Sequence, residues 1–90
     1  MRSRDWLVGL LCATAWFDHS PKRGYRLMAP VRAQELAQEL RAAFGGTVRA
    51  YGRIYTWELT GKDTIERLYR EIADGLTQAQ RRQWLEITKE

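Results

Sequence analysis

Hydrophobic positions along this chain recur with two periods, and the two periods alternate. Apolar residues three and four apart predict amphipathic helices, whereas apolar and polar residues in strict alternation predict strands with one buried face. The sequence therefore predicts the order helix, hairpin, helix, hairpin, helix, helix. The predicted helices are Asp5–Ala15, Val31–Phe44, a segment beginning near Asp63, and Gln78–Thr88, and the predicted strands are Trp16–His19, Tyr25–Ala29, Thr47–Tyr51 and Ile54–Thr60.

Proline and glycine set the predicted boundaries in the first two thirds of the chain. The first hairpin turns at residues 20–24 (Ser-Pro-Lys-Arg-Gly), where proline fixes one dihedral angle and glycine accepts positive φ. The pair at 52–53 (Gly-Arg) forms the two-residue turn of the second hairpin. Pro30 is expected to stop the second strand and to open helix two, because a helix start leaves its missing N–H unpaired in any case. The glycine pair at 45–46 then ends helix two.

Polar residues set the boundaries in the last third. Glu66 is placed to complete a capping box with Asp63, Asp74-Gly75 interrupts helix three, and Thr77 caps the last helix. Each of these helices, and helix two, has apolar residues at a spacing that puts them on one buried face. They are Ala33, Leu36, Ala37, Leu40 and Phe44 in helix two, Ile65, Leu68, Tyr69 and Ile72 in helix three, and Ala79, Trp84 and Ile87 in the last helix.

The second hairpin predicts two faces of different chemistry. One face, expected to pack on helices, carries Val48, Ala50, Tyr55, Trp57 and Leu59. The other, expected to face water or a ligand, carries Thr47, Arg49, Tyr51, Thr56, Glu58 and Thr60. Two hairpins side by side give an α+β fold in one domain over residues 1–90, with a four-stranded antiparallel sheet, helices on one face and the order α-β-β-α-β-β-α-α.

Charge is unevenly distributed along the chain. The formal net charge is +4; residues 1–60 hold nine Lys and Arg against five acids, whereas residues 61–90 hold six of each. The basic excess therefore lies where the strands are predicted, and a basic sheet is one electrostatic footprint of a nucleic-acid binder. A solvated basic surface that binds nothing accounts for the same charge.

Composition excludes several other classes. The apolar stretch from Trp6 to Phe17 is too short to cross a bilayer, and Asp5 and the residues after Trp16 fit a secretion signal poorly, so we expect no membrane association. The single cysteine, Cys12, allows no internal disulfide and is expected to be a small buried hydrophobe, in keeping with a cytoplasmic protein.

The opening helix carries the most specific pattern in the chain. Gly9 and Ala13 lie four residues apart on one helix face, which suits close approach of a second helix. The run Leu7-Val8-Gly9-Leu10-Leu11 resembles the first half of the LAGLIDADG motif of homing endonucleases. The resemblance extends over the predicted element order from Trp6 to about Ile72.

That resemblance implies a homodimer whose motif helices pack at a two-fold axis and whose paired sheets form a saddle over the DNA major groove. Leu7, Gly9, Leu10 and Ala13 would then form the dimer interface. The family's metal-binding acid stands at the eighth position of the motif, where this chain has Thr14. A neutral hydroxyl replaces a carboxylate poorly as a ligand of a hard cation. We therefore expect no catalytic residues, no metal and no cofactor.

Two nearby residues leave room for other interpretations. Asp18 is the nearest acid after Thr14, and it restores a metal site only if the strand register differs from the predicted one. His19 beside it is more typical of a surface residue near a turn than of a general base.

The sequence thus predicts a non-cleaving protein that binds double-stranded DNA as a homodimer. The residues predicted to contact DNA lie on the polar sheet face and in the hairpin turns: Lys22, Arg23, Arg26, Arg49, Tyr51, Arg53, Thr56 and Glu58. One alternative is a protein–protein interaction module that keeps the fold and the dimer but has lost DNA binding, since four Trp and four Tyr suit an interface. RNA binding also stays open, because an exposed aromatic on a basic sheet can stack on bases.

Overall fold

The elements of the computed structural model, which describes residues 2–89, follow the predicted α-β-β-α-β-β-α-α order. A short 3₁₀ turn, Ala73–Gly75, separates the last two helices, at the predicted break. The elements are α1 (Arg4–Thr14), β1 (Trp16–Ser20), β2 (Gly24–Val31), α2 (Gln34–Phe44), β3 (Thr47–Tyr51), β4 (Ile54–Thr60), α3 (Lys62–Ile72) and α4 (Gln78–Ile87).

The four strands form one antiparallel sheet in the order β1-β2-β4-β3. The two hairpins therefore lie side by side, as the sequence predicts, with β2 and β4 in the centre and β1 and β3 at the edges. The fold class expected from the hydrophobic pattern is confirmed. Within residues 2–89, no helix is long and apolar enough to cross a membrane.

The hydrophobic core lies between the helices and one face of the sheet. Phe17, Leu27, Ala29 and Trp57 come from the strands and are at most 2% exposed. Trp57 also donates a hydrogen bond from its indole N–H to the Gly45 carbonyl oxygen, at 2.7 Å, which ties the end of α2 to β4. The helices bury Leu7 and Leu11 from α1, Ala37 and Leu40 from α2, Ile65, Leu68 and Ile72 from α3, and Trp84 from α4.

Three alanines predicted to lie on buried faces are exposed, and Cys12 is one of several residues predicted to be buried that are only half-buried. Ala33 is exposed because it precedes α2 as its N-cap rather than lying within the helix. Ala79 is exposed in the first turn of α4, and Ala50 is exposed on the edge strand β3. Cys12 is only half-buried; its thiol packs against Gly75, and burial raises its pKa. Edge strands and helix ends have fewer neighbours than a regular pattern implies.

The prediction that Pro30 ends the second strand is wrong. Pro30 lies within β2, opposite Thr56 of β4, and α2 begins only at Gln34. The amide of Gly61 donates to the carbonyl of Tyr25, so the backbone groups of alternate residues from Tyr25 onward point toward β4. Pro30 lies at the alternate position, so its backbone nitrogen faces the β1 side of β2. The register places it beyond the end of β1, so the missing N–H removes no sheet hydrogen bond.

The helix starts in the last third contain one correct and one wrong prediction. The capping box predicted from Asp63 and Glu66 is absent, because α3 begins at Lys62 after Gly61, whose φ of 99° favours glycine. Thr77 caps α4 as predicted, and it forms a full capping box with Gln80.

The last helix packs against the first strand. Trp84 of α4 contacts Phe17 of β1, Tyr25 of β2 and Tyr69 of α3, with ring centroids 5.2 to 6.0 Å apart. The Gln83 side chain accepts the backbone N–H of Phe17 at 2.8 Å. The C-terminal helix is therefore part of the core, and it also covers the outer edge of β1.

Candidate nucleic-acid interface

The face of the sheet opposite the helices forms the candidate interface, and we refer to it as the open face. Strand alternation directs every second side chain to this face, and the register places these side chains in rows across the sheet. One row contains Asp18, Arg26 and Thr60, and another contains Pro30, Thr56 and Arg49. A third row contains Trp16, Met28, Glu58 and Thr47.

An ion pair occupies the β1–β2 side of the open face. The Arg26 guanidinium donates to the Asp18 carboxylate at 2.5 Å, and its side chain is only 13% exposed. The hydrogen bond from Arg26 is the main cause that holds the pKa of Asp18 below its usual value. Among residues 2–89, the Nε of Arg26 is buried and has no hydrogen-bond acceptor. The Arg26 guanidinium is thus bound through its Nη2 atom, and its buried Nε–H remains without an acceptor among residues 2–89.

A second charged cluster lies on the β3–β4 side. Glu58 is 8% exposed, in the same row as Met28 and Thr47. The pKa of Arg49 is raised, first by hydrogen bonding to Tyr51 and then by the negative charge of Glu58. Arg49 itself is exposed, and Tyr51 is 60% exposed. An exposed cation and an exposed aromatic ring therefore lie next to each other on this side, near a buried acidic residue.

Further cations lie at the two ends of the open face. Lys22 and Arg23 are in the turn between β1 and β2, and Arg53 is in the turn between β3 and β4. The register places these turns at opposite ends of the sheet. Arg32 follows β2 at the same end as Arg53 and lies beside it and Ile54.

The whole formal net charge belongs to this surface. Six cations and two acids lie on the open face or in its flanking turns: Lys22, Arg23, Arg26, Arg32, Arg49 and Arg53, with Asp18 and Glu58. The rest of the chain holds nine cations and nine acids. The formal charge of +4 is therefore an excess on the open face, whereas the helical side is balanced.

The structure places the residues predicted to contact DNA at different depths. Thr56 and Arg26 are half-buried, and Glu58 is buried. Sequence reasoning missed Arg32, because it placed that residue inside helix two. Arg32 lies two residues after Pro30, so alternation along β2 places it on the same face as Pro30 once the strand is known to continue to Val31. Five members of the predicted set are exposed: Lys22, Arg23, Arg49, Tyr51 and Arg53.

The outer face of α1 is a second exposed surface. Gly9 and Ala13 are exposed, and a Cβ added at Gly9 meets no atom within 4 Å. Trp6, on the same side of the helix, is 48% exposed, and Leu10 is half-buried. Leu7, by contrast, is 2% exposed and lies in the core of its own chain. Of the predicted dimer residues, Gly9, Leu10 and Ala13 are thus reachable by another molecule.

Residues near the end of α1 are committed to contacts within the chain. The Thr14 hydroxyl donates to the Leu10 carbonyl oxygen at 2.7 Å, Asp18 is bound to Arg26, and His19 stacks on Tyr25 with ring centroids 4.3 Å apart. Between residues 2 and 89, no three His, Cys, Asp or Glu side chains cluster as metal ligands would.

These surfaces are characterised by the geometry and charge of the chain itself. Comparison of the sequence and structure with protein-family models, curated proteins and solved structures finds no match.

Proposed function

We propose that this protein is a non-cleaving DNA-binding protein that acts as a homodimer and contacts duplex DNA with the open face of its sheet. The observation that carries the proposal is the concentration of the whole net charge on that face and its flanking turns. Neutralising phosphates with Lys and Arg supplies most of the sequence-independent affinity for DNA.

The turns and the strand β3 suit different contacts with DNA. β2 is eight residues long, so the two basic ends lie about 25 Å apart, farther than the roughly 12 Å width of the major groove. Lys22 and Arg23 at one end and Arg53 at the other are placed to contact phosphates on either side of the groove. Arg49 and Tyr51 project from β3 beside the Arg53 end, in rows next to the 52–53 turn, where side chains can reach base edges.

The dimer part of the proposal rests on the outer face of α1. Gly9 and Ala13 leave the helix backbone open to close approach by a second helix. Trp6 adds apolar area next to them. A dimer doubles the basic surface, and this raises affinity without any new type of contact.

The absence of cleavage is proposed from chemistry at the end of α1. Thr14 offers a neutral hydroxyl that already donates to a backbone carbonyl. The nearest carboxylate, Asp18, is bound to Arg26. Divalent-metal catalysis of phosphodiester cleavage needs charged oxygen ligands that are free to bind the metal.

The primary test is a fluorescence-polarisation titration against random-sequence duplex DNA at low and moderate salt, with and without magnesium, followed by a gel of the DNA. We expect binding that falls steeply with salt and intact DNA in every lane. Arg49→Ala should weaken binding by about 1–3 kcal/mol. Arg81→Ala is the matched control, because Arg81 is an exposed arginine on α4, away from the open face.

Each other result contradicts part of the proposal. Cleaved DNA in the magnesium lanes would show that the chain is a nuclease. Equal losses from Arg49→Ala and Arg81→Ala would show that the open face is not the binding surface. No binding at low salt would favour the protein–protein interaction module, for which the exposed Trp6 and Trp16 are the supporting observation.

The dimer is tested separately with Gly9→Leu. No atom of residues 2–89 lies within 4 Å of a Cβ at position 9, so the fold should be kept while close approach of two helices is blocked. We expect light scattering to give a dimeric mass for the wild type and a monomeric mass for this variant. Gly9→Ala is the matched control and should stay dimeric. A dimeric Gly9→Leu protein would rule out the α1 contact.

A further inference from the structure

The two edges of the sheet are treated differently by the fold. The edge of β1 is covered by α4, where Gln83 accepts the N–H of Phe17 and Gln80 donates to the carbonyl of Ala15. Such cover prevents another chain from pairing with the strand. At the other edge, four of the five residues of β3 are exposed and Val48 is half-buried.

The register identifies which backbone groups of β3 point outward. The Gly61-to-Tyr25 hydrogen bond fixes the direction in β2, and alternation carries it across β4 to β3. Thr47, Arg49 and Tyr51 turn their backbone groups toward β4. By the same alternation, the backbone N–H of Phe17 in β1 points away from β2, in agreement with its hydrogen bond to the Gln83 side chain. The N–H and C=O groups of Val48 and Ala50 therefore point away from the sheet.

These four outward groups are the ones that an additional strand would hydrogen-bond to. Within residues 2–89, none of them has a hydrogen-bond partner in the backbone or in a side chain. Val48 and Ala50 are two residues apart, which is the spacing at which an adjacent antiparallel or parallel strand forms its hydrogen bonds. An extended peptide would satisfy all four groups without disturbing the existing sheet.

Charge identifies the kind of strand that fits. Arg49 is the one charged residue of β3, and its side chain is exposed, whereas the neighbouring carboxylate, Glu58, is buried on β4. Pairing of this edge with the same edge of a second copy would bring two Arg49 side chains to one seam, which is unfavourable. A strand with carboxylates on the open-face side would instead pair with the exposed Arg49 guanidinium. On the opposite side, next to Val48, a small apolar residue fits the half-buried surface.

We infer that the β3 edge binds an extended segment of a partner protein in which acidic residues alternate with small apolar residues. The backbone of Val48 and Ala50 supplies the hydrogen bonds, and Arg49 supplies the preference for acidic side chains. This interaction goes beyond DNA binding and does not depend on it.

The test uses a blocked, dye-labelled heptapeptide of alternating glutamate and valine with the full chain in the absence of DNA. A shuffled peptide of the same composition and a lysine–valine peptide are the controls. Amide hydrogen exchange by NMR should slow at Val48 and Ala50 when the alternating acidic peptide is added. Arg49 and Tyr51, whose amides face β4, should keep their exchange rates.

Three outcomes would overturn the inference. The first is equal binding of all three peptides, or binding of none. The second is slowed exchange away from Val48 and Ala50. The third is protection of these two amides that grows with protein concentration alone, which would mean that a second copy occupies the edge.

Two variants test the contributions of backbone and charge. Ala50→Pro removes one outward N–H that the sheet does not use, and it should lower peptide affinity about tenfold. Arg49→Glu, on an exposed side chain, should lower it by at least as much, whereas Arg81→Glu should not. Unchanged peptide affinity in Arg49→Glu would overturn the assignment even if Ala50→Pro does not fold.

Discussion

The two faces of the sheet are stabilised by different forces. The helix-covered face is built from Phe17, Leu27 and Trp57, which are almost fully buried and packed against apolar side chains. The open face carries the Arg26–Asp18 ion pair and the buried acidic residue Glu58. The first face depends on shape, which pH and salt hardly change, and the second depends on charge, which both alter. The main source of stability and the proposed binding surface thus lie on opposite sides of the same strands.

The sharpest test of this comparison replaces one tryptophan on each face. Trp57→Ala should cost about 3–5 kcal/mol, because it leaves a large cavity and also removes the donor to the Gly45 carbonyl. Trp16 lies on the open face and is 38% exposed, so Trp16→Ala should lower the free energy of unfolding by less than half as much. Urea unfolding measures both. Equal losses would contradict the assignment of the core to one face.

Much of the fold on the helix side follows from the sequence, because burial there obeys simple periods. The spacing of Ile65, Leu68 and Ile72 predicts their burial, and the structure confirms it. Pro30 was misjudged because its effect depends on which neighbour its missing N–H would have faced. That information exists only once the strand order is known.

The open face is less predictable from sequence. Alternation correctly assigns Arg49 and Glu58 to one face, but it does not reveal that Glu58 is buried and that Arg49 is exposed. Nor does it show that Arg26 is tied to Asp18. These differences arise from cross-strand register, in which residues distant in sequence become neighbours.

A smaller loss of stability is expected from a substitution at Gly46, which directly precedes β3. A Cβ at Gly46 would overlap the carbonyl oxygen of Glu58, and its φ of 91° also disfavours other residues. Gly46→Ala should therefore cost more than about 2 kcal/mol. Gly52→Ala is the control, because Gly52 has a similar positive φ of 60° but open space around it. Thermal unfolding should rank the wild type first, Gly52→Ala second and Gly46→Ala last.

The smallest loss of stability is expected when a charge is removed from the open face. Asp18→Asn should cost about 1–2 kcal/mol at pH 7, because it weakens the partner of a mostly buried guanidinium. The pKa of Asp18 is lowered in the folded chain, so the contribution of the pair is present above the unfolded pKa of about 3.9. It is lost as pH falls toward the lower folded pKa.

The wild type should therefore lose more stability than Asp18→Asn between pH 5 and about pH 2. Urea unfolding across that range measures the difference. Some pH dependence remains in the variant, because a hydrogen bond from the Arg2 backbone N–H lowers the pKa of Glu39 and one from the Arg4 side chain lowers the pKa of Glu71. Parallel curves for the two proteins would show that the ion pair does not stabilise the open face.

The contact of α4 with β1 has a consequence for synthesis of the protein. Phe17 and Gln83 are 66 positions apart, and their hydrogen bond joins one of the first strands to the last helix. Trp84, in the same helix, completes the aromatic cluster around Phe17. A nascent chain that has not yet released α4 from the ribosome has an incomplete core and an uncovered β1 edge. During translation, both edges of the sheet are thus open to pairing with other chains, and release of the last helix closes one of them.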